Sequence, residues 1–252
     1  MSKKCHSPSI TFNNVDLDYS SYAYRDVSFK NMIKCIIGAQ PNTCIEDIHA
    51  LRNISFKINS GERIALLGHN GAGKSTLLKA IAGLYPISRG NITCSGEIRA
   101  LFEISLGFEP NATGRENILY RGLLLGLKPI EIFELEPEII DFADIGGFID
   151  YPIKTYSSGM LVRLAFAIST TIPGDIILLD EVIGAGDASF MGKAQNRIEN
   201  LIHKAEILVL ASHDFSVVER LCNRALILHH GELVFDGNVS SGIREAKRLQ
   251  GF

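Results

Sequence analysis

The sequence predicts an α/β fold, with a mostly parallel sheet core and an inserted α-helical subdomain. Three observations predict it. Short apolar runs recur at 64–67, 176–179 and 207–211, the length of strands buried on both faces. Helix-like patterns alternate with them, the order of a sheet whose strands are mostly parallel. The first of these runs enters a glycine-rich loop that leads directly into a helix pattern, the setting of a phosphate-binding turn.

The elements follow in order. Residues 10–16 read as a strand, followed by a tyrosine-rich, helix-like stretch and a polar patch over 40–47. Residues 51–58 alternate as a strand does. Run 63–67 ends in glycine, and 75–84 reads as a helix. Two strand-like pieces, 91–94 and 97–102, precede a loop with Gly and Pro. Residues 114–171 are mostly helical in pattern. Strands at 176–179 and 207–211 follow, then a helix at 215–222. Segments 225–229 and 233–235 flank His230-Gly231-Glu232 as a hairpin. The expected division is 1–112 for the first strands and phosphate-loop half, 113–172 for the helical subdomain, 173–235 for the second half of the core and 236–252 for a short tail.

Composition excludes several classes. Of 252 residues, 46% are hydrophobic and 21% charged, a globular balance. The 28 acidic and 25 basic residues leave a formal charge of −3, which gives no support for nucleic acid as the main partner. No apolar run approaches the roughly 18 residues of a membrane span; the best stretch, 161–173, carries Arg163. Residues 1–8 lack the apolar stretch of a signal peptide, so a cytoplasmic location is expected unless a partner holds the chain at a membrane. The five cysteines form no C-x-x-C pair, so neither a disulfide scaffold nor a zinc site is expected.

Gly68-His69-Asn70-Gly71-Ala72-Gly73-Lys74-Ser75-Thr76 is G-x-x-x-x-G-K-[ST] between a strand and a helix. Its glycines let backbone N–H groups wrap the β- and γ-phosphates, and the helix start aims its positive dipole end at the same anion. Lys74 supplies a mobile point charge there, and the Ser75 hydroxyl is placed to ligate Mg²⁺. At 176–181, four apolar residues precede Asp180 and Glu181. A parallel strand presents such acids at its C-terminal edge, where open α/β sheets bind ligands. Asp180 is the candidate for Mg²⁺, directly or through water, and Glu181 for polarising the attacking water. Ser157-Ser158-Gly159-Met160 precedes an amphipathic helix, 161–171; alone it is an ordinary N-cap.

In combination the motifs mean more. The order phosphate loop, Ser157 to Met160, Asp180-Glu181, Gly186-Asp187 and Ser212-His213-Asp214 resembles the nucleotide-binding subunit of an ATP-binding-cassette (ABC) transporter, over about residues 10–235. The resemblance implies an α/β P-loop NTPase fold with a mixed sheet core, an antiparallel β-subdomain and an inserted α-helical subdomain, ATP and Mg²⁺ as cofactors, and a homodimer that clamps two ATP molecules head to tail. Ser157, Ser158 and Gly159 look like the signature motif, which faces the γ-phosphate held by the other subunit. His213 resembles the switch histidine on the γ-phosphate, and Asp187 the residue that links the two sites. An aromatic upstream of the phosphate loop stacks on adenine in the family; Tyr19 is the choice here, with Tyr22 and Tyr24 as rivals.

One departure stands out. The wider family places a glutamine on the loop after the 97–102 strand, where it touches Mg²⁺ and the membrane subunit. Residues 102–110 contain none. Glu109 or Glu103 is the expected substitute, a carboxylate that accepts but does not donate when ionised. Residues 100–108, Thr113-Gly114-Arg115-Glu116-Asn117, 154–160 and 184–190 look like the polysaccharide exporters, which carry lipid-linked O-antigen, capsule or teichoic acid chains across the bacterial inner membrane. That resemblance implies transmembrane permease subunits as partners, a lipid-linked polysaccharide as substrate, and a peripheral position on the cytoplasmic face. About seventeen residues follow the last expected strand, short of the ~100 of a carbohydrate-binding β-sandwich, so no such domain is expected. A drug, lipid or nutrient transporter and a soluble cassette of translation or DNA repair are the alternative readings. Phe29, Met32, Ile33, Ile36 and Ile37 share one face of an expected extra helix over 26–38, which either packs on the cassette's own sheet or lies at the membrane-facing side against the transmembrane subunit or lipid.

Overall fold

The structure is a computed structural model and describes residues 7–20, 47–102, 107–180 and 188–250. The expected helix over 26–38 lies outside the described residues, as do Tyr22, Tyr24, Glu103, Glu181 and Asp187.

Two sheets form the scaffold. In the three-stranded sheet, β1 (Ser9–Ser20) pairs antiparallel with both β2 (Asp47–Asn59) and β4 (Arg89–Ser95). Its register shifts near Asn14 and Asn53, both at φ 48, where the Asn14 Nδ2 amide donates to Asn53 Oδ1 at 2.8 Å. Asparagine tolerates that left-handed backbone better than most residues. The six-stranded sheet has the order β5-β6-β7-β3-β8-β9. Its strands are β3 (Arg63–Leu67), β5 (Ile98–Ala100), β6 (Ile176–Asp180), β7 (Ile207–Ala211), β8 (Arg224–His229) and β9 (Glu232–Asn238). The first five in that order run parallel and β9 closes the edge antiparallel. The mixed core and the antiparallel subdomain therefore match the expected fold class.

The continuous apolar runs have a direct cause. Successive side chains of a strand point to opposite faces, and both faces here are covered. Ile64, Leu66, Ile176, Leu178, Ile207, Val209 and Ala211 enter one core with the three-stranded sheet and α1 (Lys74–Ile81). Ala65, Leu67, Ile177, Leu179, Leu208 and Leu210 enter a second core on the far face. That face carries α5 (Ala188–Lys204), α6 (Phe215–Leu221) and α7 (Val239–Gln250).

The helical subdomain comprises α2 (Gly114–Leu124), α3 (Pro129–Ala143) and α4 (Ser158–Thr171), with two short 3-10 turns between α3 and α4. It has its own core, including Ile118, Ile132, Ile139, Leu164 and Ile168. Its opening string is a set of fasteners. Thr113 and Glu116 form a capping box, with the Glu116 N–H donating to Thr113 Oγ1 at 3.1 Å and the Thr113 N–H to Glu116 Oε2 at 2.8 Å. Asn117 is fully buried. Its amide donates to the Glu109, Ala112 and Thr113 carbonyls, and its oxygen accepts the Glu109 N–H at 2.8 Å. Arg115 pairs with Asp150 and Glu136, and Gly114 lies where a Cβ would sit 2.3 Å from the Tyr156 hydroxyl.

Three stretches differ from the sequence reading. The stretch from 188 to 204, read as no element, is the helix α5, and the tail after 235 completes β9 and then forms α7. Val239, Ile243 and Ala246 are its buried positions. Their i, i+4, i+7 spacing is a helix face readable in the sequence. The helix expected at 75–84 begins one residue earlier and stops at Ile81, because the chain takes φ 72 at Gly83.

Candidate functional site

Three parallel strand ends build the site. In register, Ala211 of β7 lies between Asp180 of β6 and Leu66 of β3. The three ends stop at one level, with Asp180 and Leu66 roughly 10 Å apart at about 4.8 Å per strand. From there β3 runs into the loop 68–73 and β7 into Ser212-His213-Asp214. A cleft of about 860 Å³ opens over these ends, lined by Tyr19, Lys74, Ser75, Thr76, Asp180 and His213 together with Asn70, Gly71 and Gly73. The predicted phosphate loop, one predicted metal carboxylate, the predicted switch histidine and the preferred tyrosine thus share one cavity.

The loop is fixed by backbone approach. Gly68, at φ 145, lies where a Cβ would come within 2.3 Å of the Leu228 carbonyl oxygen; Gly73, at φ 105, where it would come within 2.9 Å of that of Ala50. No other residue type fits either place. Gly73 gives α1 no side-chain cap. Lys74, Ser75 and Thr76 at the start of that helix line the cleft, where the positive end of the helix dipole suits an anion. Lys74 is 8% exposed, and its ammonium donates to the Gly68 and His69 carbonyls at 2.7 and 3.1 Å. The same loop that would hold phosphate therefore holds its own lysine.

Tyr19 reaches the site from β1. Its hydroxyl lies 3.3 Å from Thr76 Oγ1, and its ring meets Tyr85 edge-on at 5.6 Å. Burial pushes the Tyr19 hydroxyl above its ordinary pKa, so it stays neutral. Opposite, Asp214 caps α6 by accepting the Ser216 N–H at 2.9 Å. Its hydrogen bonds from Ser216 hold the carboxyl below its ordinary pKa. That cap pins the turn that carries His213.

Other expected residues take different places. Ala72 is fully buried, and Gly68 and His69 face β8 rather than the cleft. Ser157 Oγ accepts the Met160 N–H at 3.2 Å as the N-cap of α4. Ser157 and Ser158 are exposed, and neither they nor Gly159 line this chain's own cleft. Glu109, expected as a Mg²⁺ ligand, is also outside the cleft lining. Asn117 holds its backbone, and its carboxylate accepts the Asn111 N–H at 3.1 Å. Glu109 is thus bonded into the fastening of α2. Conversely, His49, Arg52 and His230 line the cleft without having been expected there. No local motif marks them; they arrive because the Arg52 N–H donates to the Gly231 carbonyl at 2.8 Å and the Gly231 N–H to that of Ala72 at 3.0 Å.

Comparison with known proteins agrees with this geometry. The ABC transporter family profile matches residues 51–184. An O-antigen export system ATP-binding protein of Yersinia enterocolitica is 42% identical over 228 residues, 88% of this chain and 95% of that protein. One from Klebsiella pneumoniae is 36% identical, over 90% of this chain and 92% of that protein. A teichoic acids export ATP-binding protein of Listeria innocua is 38% identical over 89% of this chain, which spans 65% of that protein. Among solved structures, the dimeric post-hydrolysis state of an ATP-binding cassette bound to ADP and Pi shares the fold, with a TM-score of 0.65 at 21% identity, over 91% of this chain and 98% of that one. The chain belongs to the ABC transporter family, as one of its ATP-binding cassettes.

Proposed function

We propose that this cassette powers a bacterial exporter of lipid-linked polysaccharide of the O-antigen, capsule or teichoic acid class, as a homodimer bound to transmembrane permease subunits on the cytoplasmic face of the inner membrane. The carrying observation for the ATPase is the common level of Leu66, Ala211 and Asp180, which brings the phosphate loop, a carboxylate and His213 to one cleft. The polysaccharide class rests on the likeness to O-antigen and teichoic acid export proteins over nearly nine-tenths of the chain.

The residues take these roles. Backbone N–H groups of 68–76 and the start of α1 bind the β- and γ-phosphates. Lys74 leaves the Gly68 and His69 carbonyls for the incoming phosphates, a stronger, charge-assisted partner. Tyr19 stacks on adenine. Ser75 and Asp180, oxygen donors on one cleft, suit a hard cation and would hold Mg²⁺, which when bound supplies charge neutralisation on the phosphate oxygens. Glu181, next in the chain after β6, accepts the proton of the water that attacks the γ-phosphorus as the bond to ADP breaks. His213 donates to the γ-phosphate. Ser157, Ser158 and Gly159 of a second copy close the site from outside, with Asp187 joining the two sites. Their exposure at the start of a 14-residue helix suits that task.

Complementation of a deletion strain tests the reading. The native chain is expected to restore surface polysaccharide, while Lys74→Ala leaves lipid-linked chains on the cytoplasmic leaflet. Normal export with Lys74→Ala, or a deletion that leaves every surface glycan in place, overturns it.

A further inference from the structure

At the edge of the phosphate loop, with His230 also lining the cleft, three histidines meet from two segments about 160 residues apart. His69 is the second residue of the loop, His229 ends β8, and His230 is in the tight turn to β9. The ring centroids are 5.2 Å apart for His69 and His229, 4.7 Å for His69 and His230, and 4.4 Å for His229 and His230. Each ring offers one nitrogen within 4.8 Å of the other two, the one such group of three among the described residues.

The tautomer of His69 is fixed by chemistry. Its Nδ1 lies 2.7 Å from the Asn70 carbonyl oxygen, which only accepts, so Nδ1 carries the proton. In the neutral ring this leaves the lone pair on Nε2. That nitrogen is buried and has no hydrogen-bond partner, an arrangement that is unfavourable unless something binds there. A ring with Nδ1–H on a carbonyl and Nε2 free is the state in which histidine ligates metals.

We propose that His69, His229 and His230 form a three-nitrogen site for a divalent transition ion of the zinc class, with a fourth position open to water. At Zn–N distances of 2.0–2.1 Å, tetrahedral ligands stand about 3.4 Å apart. The present separations close to that by rotation of the exposed His230 and half-buried His229 side chains. Three imidazoles suit zinc, copper or nickel and not Mg²⁺, so the site is chemically separate from the oxygen donors Ser75 and Asp180. It does not depend on the ATPase reading. An ion there links the first turn of the phosphate loop to the β8–β9 turn, which already contacts the loop through the Gly231 N–H and the Ala72 carbonyl. Occupancy thus ties the nucleotide loop to the hairpin edge of the sheet.

The test uses the full chain, nucleotide-free and stripped with chelator. Zn²⁺ at a hundredfold excess over its Kd is expected to raise the melting temperature by about 5–10 °C. Co²⁺ is expected to give the visible absorption of a tetrahedral site. His229→Gln, which leaves the nucleotide cleft untouched, is expected to abolish both signals, and Cys94→Ser to retain both. If His229→Gln melts lower without metal, the Co²⁺ spectrum of its folded fraction still decides. No shift in the native chain, or full signals in His229→Gln, overturns the proposal.

Discussion

The strand-end cleft and the root of the helical subdomain are built from equally motif-like strings, yet they use their polar groups in opposite ways. At the cleft, Lys74, Ser75, Asp180 and His213 line an open cavity. At the root, Thr113, Glu116 and Asn117 bond to one another and to the adjacent backbone. Both strings are signs of the family. Only the first is addressed to a ligand. Being satisfied within the chain does not separate the two, since the Lys74 ammonium also bonds to its own loop. A motif becomes a site when the fold sets it along a cavity, and a fastener when it ties a helix to the backbone beside it.

Substitutions separate the two regions, beginning with the largest effect. Glu181→Gln is expected to lower ATP turnover by about 10²–10⁴-fold with the fold intact, read by phosphate release and a melting curve. Equal turnover removes Glu181 as base. Asn117→Ala is expected to act the other way. It removes a buried amide with four partners and lowers stability by about 2–3 kcal/mol, roughly 4–12 °C in melting temperature. ATP affinity of the folded fraction should hold within about twofold. A loss of affinity with unchanged melting would place Asn117 with the site. Thr113→Ala removes half of a capping box, about 1 kcal/mol, again without changing nucleotide affinity.

The pH response sharpens the contrast at Asp214. Its carboxyl is held below its ordinary value by Ser216, so the folded state binds its proton less tightly than the unfolded state. Its support for α6 is complete above about pH 4 and is lost as pH falls through the depressed value. Asp214→Asn should flatten that part of the acid unfolding curve. The smallest effect is expected at Glu109. Glu109→Ala, with its carboxylate on Asn111 and away from the cleft, should leave ATP turnover unchanged. A tenfold loss would return Glu109 to the metal site.

Much of the site was legible because its signals are local. Strand, loop and helix lie consecutively at 64–81, and Asp180 ends an apolar run whose burial on both faces forces it inside. What stayed illegible depends on pairing. His49 and Arg52 reach the cleft through the three-stranded sheet and the Gly231 contact, and the three histidines meet only because β3 and β8 are parallel neighbours. The bonding of Glu109 was illegible for a related reason. Its partner Asn117 is eight residues on, and nothing in the string says that Asn117 is buried. The α7 helix was readable from Val239, Ile243 and Ala246 but follows the last strand, where a tail is easily assumed.

The proposed closure of two copies over ATP is tested most directly by the mass of Glu181→Gln in sedimentation, with and without MgATP. A monomer that becomes a dimer only with MgATP, and fails to do so when Ser158→Arg is added at the exposed start of α4, is the expected result. A Glu181→Gln chain that binds MgATP yet stays monomeric, or a dimer indifferent to Ser158→Arg, contradicts the proposal that the signature of one copy completes the cleft of the other.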